Sequence, residues 1–154
     1  VTAVDASPGM LAEAKAKAQR EHLTINFQQE DITRLPFPGE TFDLVICALA
    51  LSHQPSLIEP CREFVRVLQF GGNLIISDLH PWFQAYYGTD HQLELQGEQH
   101  SYPLYHPEVE DYRTAVAAAG PTVLALFDVP SRWIPPEGEH VAIPGALLLW
   151  AKKT

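Results

Sequence analysis

Basic residues are scarce in this sequence. Ten lysines and arginines stand against nineteen acidic residues in 154, which gives a formal net charge of −9. A nucleic-acid-binding surface must neutralise phosphates with clustered cations. The basic residues here form no such cluster, so we expect no nucleic-acid partner.

Cysteines and long apolar runs are also scarce. The two cysteines, Cys47 and Cys61, lie in apolar segments without metal-ligand spacing. We therefore expect two reduced core thiols in a cytoplasmic protein and no metal site. No apolar run approaches the roughly 20 residues of a membrane-spanning helix, so no membrane span is expected. The sequence opens at Val1 inside an apolar run, from which we expect further residues upstream.

Strand and helix signals alternate along the first half of the chain. Ser7 as N-cap with Pro8 after it predicts one helix. A capping-box pattern, Ser56 with Glu59, predicts a second helix that ends at Gly71-Gly72. Strands are predicted over residues 1–4, 24–28, 42–49 and 73–77. This order predicts an α/β fold with a doubly wound, mostly parallel sheet.

The pattern changes after Asp78. Residues 79–106 contain no long helical pattern, and Leu93–Gln96 with Gln99–Tyr102 predict a small hairpin. A helix is predicted from Pro107 to Gly120-Pro121, followed by strands over 123–127 and 146–151. No linker divides the chain, so residues 1–154 are predicted to form a single domain, with 79–106 as a cover on the substrate side.

Two acidic residues follow predicted strands at positions where nucleotides bind. Asp5 ends the first strand, where a carboxylate accepts ribose hydroxyls in doubly wound folds. Asp31 follows the next strand, where a carboxylate can accept the exocyclic amine of adenine while Ile32 packs on the ring. Each has a plainer interpretation, Asp5 as a helix-start acid and Asp31 as a solvated loop acid.

Four segments together resemble one family. They are Asp5 with Ser7–Leu11, Asp31 with Leu35–Phe37, Phe42–Val45, and Leu68–Gly72. In this order and spacing they resemble the class I S-adenosylmethionine-dependent methyltransferases, in particular the ubiquinone/menaquinone-biosynthesis-like (methyltransferase type 11) branch. The resemblance covers residues 1–80 well and 107–154 loosely.

The resemblance implies a Rossmann-like fold with a C-terminal antiparallel strand and S-adenosylmethionine as cofactor. The implied cofactor-binding residues are Asp5, Ala6, Met10, Asp31, Ile32 and Ala48. The sequence departs from the family in one large respect, because the first strand and its Gly-x-Gly-x-Gly loop are absent. We expect a gap of about one strand spacing in the sheet, near 4.8 Å.

The resemblance implies methyl transfer to a small-molecule acceptor, by the parent protein if not by this stretch of chain alone, and a homo-oligomer is left open. His53 and His80 follow predicted strands and are candidate bases, each with a plain alternative as a loop-packing histidine. Trp82, Tyr86 and Tyr105 are candidate walls of an acceptor pocket, or members of a small satellite core.

Two other functions remain open. A nicotinamide-dependent oxidoreductase also places an acid after its second strand. Its short-chain form needs Tyr-x-x-x-Lys, which this sequence lacks. The second alternative is a methyltransferase-like module without catalysis that serves as an interaction subunit.

Overall fold

The computed structural model describes residues 1–82, 92–95, 98–101, 104–130 and 144–154, with the backbone alone for 92–95 and 98–101. The elements in chain order are β1 (Thr2–Asp5), α1 (Pro8–Arg20), β2 (Asn26–Gln29), β3 (Phe42–Ala48), a 3₁₀ turn (Leu51–His53), α2 (Ile58–Val67), β4 (Leu68–Leu79), β5 (Gln92–Leu95), β6 (Glu98–Ser101), α3 (Val109–Ala118), β7 (Thr122–Pro130) and β8 (Pro144–Lys152). No helix within these ranges is long and apolar enough to cross a bilayer.

The strands form three sheets. β1 and β2 are a parallel pair, and β5 and β6 form the predicted hairpin. The largest sheet has the order β3-β4-β8-β7, in which β3 and β4 are parallel and β8 is antiparallel to both of its neighbours. β3, β4 and β7 therefore point the same way, and β8 is the predicted antiparallel strand near the C-terminus.

An interruption separates the two parallel pairs. β1 pairs with β2 on one side, and β3 is the last strand of the four-stranded sheet. Within the described ranges, the facing edges of β1 and β3 carry no ladder bonds. This is the sheet gap that the sequence predicts, and a cavity lies in it.

Helix α1 begins as the sequence predicts. The Ser7 backbone is extended, and its Oγ accepts a hydrogen bond from the Met10 N–H at 3.3 Å. Pro8 occupies the first turn, where its missing N–H has no intrahelical partner to lose. The helix buries Leu11 and Ala18 against the β1–β2 pair.

Helix α2 ends earlier than predicted. The prediction that Gly71-Gly72 ends it is wrong, because the helix stops at Val67 and Leu68 already pairs with Phe42 in the sheet. The Lys153 ammonium satisfies two carbonyls at this end, those of Val65 at 3.0 Å and Leu68 at 2.7 Å. A cation at a helix C-terminus also complements the helix dipole.

Gly72 has a packing role within β4. A side chain there would meet the Asp43 carbonyl and the Leu68 Cδ1, both at 2.9 Å from an added Cβ. Glycine is required because β3 and the end of α2 approach this backbone closely. The glycine pair therefore belongs to the sheet.

The starts of α2 and α3 both differ by a residue or two from prediction. Ser56 does bond Glu59, at 2.6 Å, but the N-cap position is Leu57. α3 begins at Val109 behind Glu108, whose side chain forms a capping box with Asp111. Acidic residues at these helix starts complement the dipole.

The hydrophobic core lies on one face of the four-stranded sheet. The inward side chains of the sheet pack against α2 and α3. The fully buried residues of this core include Leu74, Ile76, Leu147 and Leu149 from the sheet and Val67, Val116 and Tyr112 from the helices. Cys47 and Cys61 belong to this core, as predicted, and burial raises the pKa of each thiol to about 12. The opposite face presents apolar side chains to solvent, among them Ile46 at 62% exposure.

Candidate functional site

The carboxyl end of β1 forms an ordered turn. Asp5 is half-buried, and its Oδ1 accepts the Ser7 N–H at 2.7 Å. The Gln29 side chain donates to the Ala6 carbonyl at 3.1 Å, which ties the turn to β2. A carboxylate has about four acceptor positions, so Asp5 keeps capacity for further donors.

Asp31 forms a second ordered turn after β2. Its Oδ1 accepts both the N–H and the hydroxyl of Thr33 at 2.8 Å. These two bonds lower the pKa of Asp31 below its usual range, so the carboxylate is ionised at neutral pH. The neighbouring Ile32 is half-buried and packs against the core.

A cavity of about 360 Å³ lies between β1 and β3. Three of the six predicted cofactor residues line it, Asp5, Ile32 and Ala48. Phe64 and Val67 of α2 also line it. The sequence therefore identified residues from three separate segments that the fold brings to one cavity.

The other three predicted cofactor residues lie outside the lining of this cavity. Ala6 and Asp31 are exposed, and Met10 on the first turn of α1 is 61% exposed. All three belong to the turns that flank the cavity. Their proposed roles rest on neighbouring positions and on the family resemblance.

The two candidate bases have different surroundings. His53 ends the 3₁₀ turn after β3 and is exposed. His80 is buried, its Nδ1 accepts the Trp82 N–H at 3.1 Å, and its Nε2 lies 3.3 Å from Oδ1 of Asp128. With both ring nitrogens engaged, His80 fastens the end of β4 to β7. His53 is the exposed one of the two, although it lines neither described cavity.

The predicted acceptor walls are dispersed. Tyr105 lines a second cavity of about 420 Å³ between the segment before α2 and helix α3. Its polar lining comes from Gln54, Ser56, His106, Asp111 and Thr114. Trp82 is 68% exposed and lines neither described cavity. Tyr86 lies outside the described residues.

Sequence reasoning missed a buried polar group below the sheet edge. Asp78 is fully buried, and its carboxylate accepts the N–H groups of Ser52 and Leu79, each at 2.8 Å. A signal was present in the sequence. Asp78 follows Leu74 and Ile76 at the two-residue spacing of the inward face.

Arg66 is a second residue that the sequence did not single out. Its guanidinium forms a two-pronged pair with Glu63 and also donates to the carbonyls of Phe37 and Leu35, at 2.7 and 2.9 Å. Glu63 in turn accepts the Leu35 N–H at 2.7 Å. Helix α2 thus fixes the loop that leads from Asp31 into β3.

Comparison with known proteins finds methyltransferases that match parts of the chain. Residues 1–76 match the family model described as a methyltransferase domain. The chain is 34% identical over 92 residues to a demethylmenaquinone methyltransferase of Deinococcus radiodurans, which covers 60% of this chain and 38% of that protein. It is 30% identical over 112 residues to a ubiquinone biosynthesis O-methyltransferase of Coxiella burnetii, at 73% and 46% coverage. The chain spans less than half the length of these two relatives.

Solved structures share the fold. A methyltransferase from Clostridium acetobutylicum, described as S-adenosylmethionine-dependent, superposes with a TM-score of 0.75 at 16% identity, over 98% of this chain and 74% of that one. The cyclase SpnF superposes with a TM-score of 0.72 at 21% identity, over 99% and 66%. The chain therefore has the Rossmann-like fold of these proteins. Residues 1–76 belong to the methyltransferase-domain family, and the chain is similar to proteins described as S-adenosylmethionine-dependent methyltransferases.

Proposed function

We propose that this chain provides the nucleotide-binding edge and the acceptor side of an S-adenosylmethionine-dependent methyltransferase that acts on a small molecule. The observation that carries the proposal is the convergence of Asp5, Ile32 and Ala48 on the cavity between β1 and β3. Ligands in open α/β sheets bind beyond the carboxyl ends of the strands. Asp5 and Ala48 are the last residues of their strands.

The residues present fit a nucleoside. Asp5 is held by Ser7 through one oxygen and can accept ribose hydroxyls through its remaining lone pairs. In this proposal the ionised Asp31, exposed on the turn beside the cavity, accepts an exocyclic amine. Ile32 supplies an apolar surface for a ring, and the small side chain of Ala48 leaves room for close approach.

When bound, S-adenosylmethionine supplies an activated methyl group. The protein then has to orient the acceptor and exclude water, and proximity alone can supply a large part of the acceleration. A base is needed only where the acceptor must lose a proton. His53 is exposed at the end of the 3₁₀ turn that follows β3 and takes that role in our proposal.

The acceptor in this proposal is a small ring compound of the phenol or quinol type. The two curated relatives carry names that refer to quinone biosynthesis. Tyr105 beside the second cavity provides an aromatic surface suited to a planar acceptor. The surplus of acidic residues favours a neutral or cationic small molecule over a polyanion.

Calorimetric titration with S-adenosylmethionine tests the nucleotide site. Asp5→Asn keeps an oxygen for the Ser7 N–H but loses the charge. We expect it to weaken binding by about 1.5–3 kcal/mol, roughly ten- to 150-fold, as for a charge-assisted hydrogen bond. Asp31→Asn should cost less because Ile32 keeps its contact with the ring.

Asp43→Asn is the matched control. Asp43 is an exposed acid on β3 that lines neither cavity, so its replacement removes the same charge without touching the site. Affinity should be unchanged in this variant. Equal affinities for wild type, Asp5→Asn and Asp31→Asn would remove the nucleotide assignment, and tighter binding of NADH would move it to the nicotinamide class.

Residues 84–103 test the acceptor side. Replacing them with a short Gly-Ser linker should abolish methyl transfer to a panel of phenols, quinols and amines. Cofactor affinity should change by less than about tenfold, roughly 1.4 kcal/mol. Surviving turnover would show that the segment is not needed for the acceptor, and loss of cofactor binding would assign it to the nucleotide site.

A non-catalytic module is the second candidate. It is favoured by His80, because both of its ring nitrogens make structural contacts. Of the two candidate bases, His53 is then the one left exposed to solvent. Cofactor binding with no turnover across the acceptor panel would support this candidate.

A further inference from the structure

The buried carboxylate of Asp78 is in an unusual environment. It lies on the inward side of β4, in line with Leu74 and Ile76, and is fully buried. Among the described residues it forms no ion pair with a lysine, arginine or histidine. Burying a carboxylate costs several kcal/mol unless hydrogen bonds and charges compensate. Two backbone N–H groups are the compensation seen here.

One of these bonds reaches across the fold. Asp78 Oδ2 accepts the N–H of Ser52, which is the middle residue of the 3₁₀ turn and is itself buried. The turn leaves the end of β3 at Leu49, whose N–H donates to Ser77 on β4. The carboxylate therefore fixes how the turn leaves the sheet. His53 is the next residue along the chain, so the bond between Ser52 and Asp78 also influences where His53 lies.

A second link continues from Ser52. Its carbonyl accepts the N–H of Tyr105 at 2.7 Å, which joins the turn to the segment before α3. Asp78, Ser52 and Tyr105 thus connect three parts of the chain that are distant in sequence. The connection ends at the cavity that Tyr105 lines.

Tyr112 completes the surroundings of the carboxylate. Burial, and next the charge of Asp78, raise the pKa of the Tyr112 hydroxyl well above its usual range. The hydroxyl is buried yet meets no hydrogen-bond partner among the described residues. Tyr112 is therefore a close neighbour of Asp78, and the directional bonds are those to the backbone.

We propose that Asp78 is a positioning residue that sets the relative placement of His53 and Tyr105 on the acceptor side. Its contacts act through Ser52, which among the residues described is the one that bonds both Asp78 and the Tyr105 segment. The inference rests on the proposed function for the roles of His53 and Tyr105. The hydrogen-bonded connection itself rests on the structure.

Hydrogen exchange of individual amides tests the connection. In the wild type, the Ser52 and Tyr105 amides should exchange far more slowly than exposed loop amides. Asp78→Asn keeps one acceptor oxygen for two N–H donors, so we expect exchange at Ser52 and Tyr105 to accelerate at least tenfold more than in the β4–β8 ladder. Tyr112→Phe is the control; it leaves both accepted bonds in place and should leave these two amides unchanged.

Turnover separates positioning from simple support. Asp78→Asn should lower kcat at least tenfold and change cofactor affinity less than threefold, the reverse of Asp5→Asn. Uniform acceleration of exchange, or unchanged kcat with locally faster exchange, would overturn the proposal. If Asp78→Asn does not fold, fast wild-type exchange at Ser52 and Tyr105 would overturn it equally. If neither Asp78→Asn nor Asp5→Asn loses cofactor affinity, and neither the wild type nor any variant shows turnover, the proposed methyl transfer itself is refuted.

Discussion

The N-terminal β1–α1–β2 unit and the four-stranded body differ in how they are held. One cluster of buried apolar residues forms the core of the body and includes side chains from β3 to β8. The unit buries Leu11 and Ala18, and neither belongs to that cluster. Contact between unit and body passes through partly buried residues such as Val4 and Ile32. Regions with few buried apolar contacts open at lower free energy than the rest of a protein.

The difference between the two regions matches the roles proposed for them in nucleotide and acceptor binding. Five of the six proposed nucleotide residues lie on the weakly held unit or on the turn after it, and Ala48 lies on the body. The candidate acceptor residues His53 and Tyr105 both belong to the body. We infer that nucleotide binding, which bridges the unit and the body, would stabilise the weaker region most.

The largest effect is expected from a pair of core deletions. Leu74→Ala removes a fully buried side chain beneath the sheet, and we expect a loss of about 3–4 kcal/mol in the free energy of unfolding. Leu11→Ala in α1 should cost about 1–2 kcal/mol, because a small unit near the surface relaxes around the cavity more readily. Chemical denaturation of both variants measures the two values.

The difference between the unit and the body also predicts which strands each of the two deletions destabilises. Leu11→Ala should speed hydrogen exchange in β1 and β2 with little change in the β4–β8 ladder, whereas Leu74→Ala should speed exchange everywhere. Equal and uniform losses in both variants would show that the unit and the body unfold together as one cooperative structure.

Arg66 sharpens the comparison at the loop between the two regions. Arg66→Ala leaves the Leu35 and Phe37 carbonyls and the Glu63 carboxylate without their partner. The side chain is 39% exposed, so solvent takes over part of these bonds, and we expect a cost of about 1–2 kcal/mol. Denaturation midpoints of wild type and variant measure this cost.

Arg113 offers a control of matched spacing. It pairs with Glu110 three residues earlier, as Arg66 does with Glu63, but on an exposed face and without backbone carbonyls. Arg113→Ala should leave the midpoint of unfolding within experimental error. A similar loss in both variants would mean that the stabilisation by Arg66 comes from its ion pair and not from its contact with the loop.

The same pair predicts a pH dependence. Hydrogen bonds from Arg66 hold the pKa of Glu63 below the ordinary value of 4.5. A carboxylate whose pKa is lower in the folded state stabilises the fold fully above its unfolded pKa and loses that contribution as pH falls through its folded pKa. The stability difference between wild type and Arg66→Ala should therefore be constant near pH 7 and shrink below pH 4.5. A difference that grows on acidification would contradict this assignment.

The smallest effect is expected at the end of β3. Leu49 has a φ of +53°, a left-handed conformation that is costly for a residue of this shape, and its side chain is largely exposed. Leu49→Gly relieves the strain but raises the entropy of the unfolded chain, so we expect a net change within about 1 kcal/mol. Thermal unfolding measures it, and a loss well above 1 kcal/mol would show that the side chain makes a contact that outweighs its strain.

Local signals in the sequence predicted much of the fold. Ser7 and Pro8 specify the start of α1 through bonds within one turn, and these appear in the structure. The apolar run of β3 was predicted over 42–49 and is observed as Phe42–Ala48, whereas β4, predicted over 73–77, spans Leu68–Leu79. The predicted end of α2 was wrong because the chain enters β4 directly at Leu68, and Lys153, which follows β8 and is 86 positions after Val67, bonds the carbonyls at this helix end.

Site residues whose positions depend on nearby sequence could be predicted, whereas those that depend on contacts far along the chain could not. Asp5, Ile32 and Ala48 follow strands, and strand ends meet at one edge of a sheet, so their shared cavity could be anticipated. The burial of His80 could not, because Asp128 and Gly145 come from strands far along the chain. The roles of Asp78 and Arg66 also depend on contacts 26 or more residues apart.

The position of β8 has a consequence for how the chain acquires its structure during synthesis. β8 lies between β4 and β7, so the body gains its central strand only after residues 144–152 have left the ribosome. Until then the apolar inward side of β4 waits for a partner such as Leu149 opposite Ile76. The β1–α1–β2 unit joins neighbours in sequence and can form first. The more stable region of the molecule is thus the later one to be completed, and its long-range pairing makes that step the slow one.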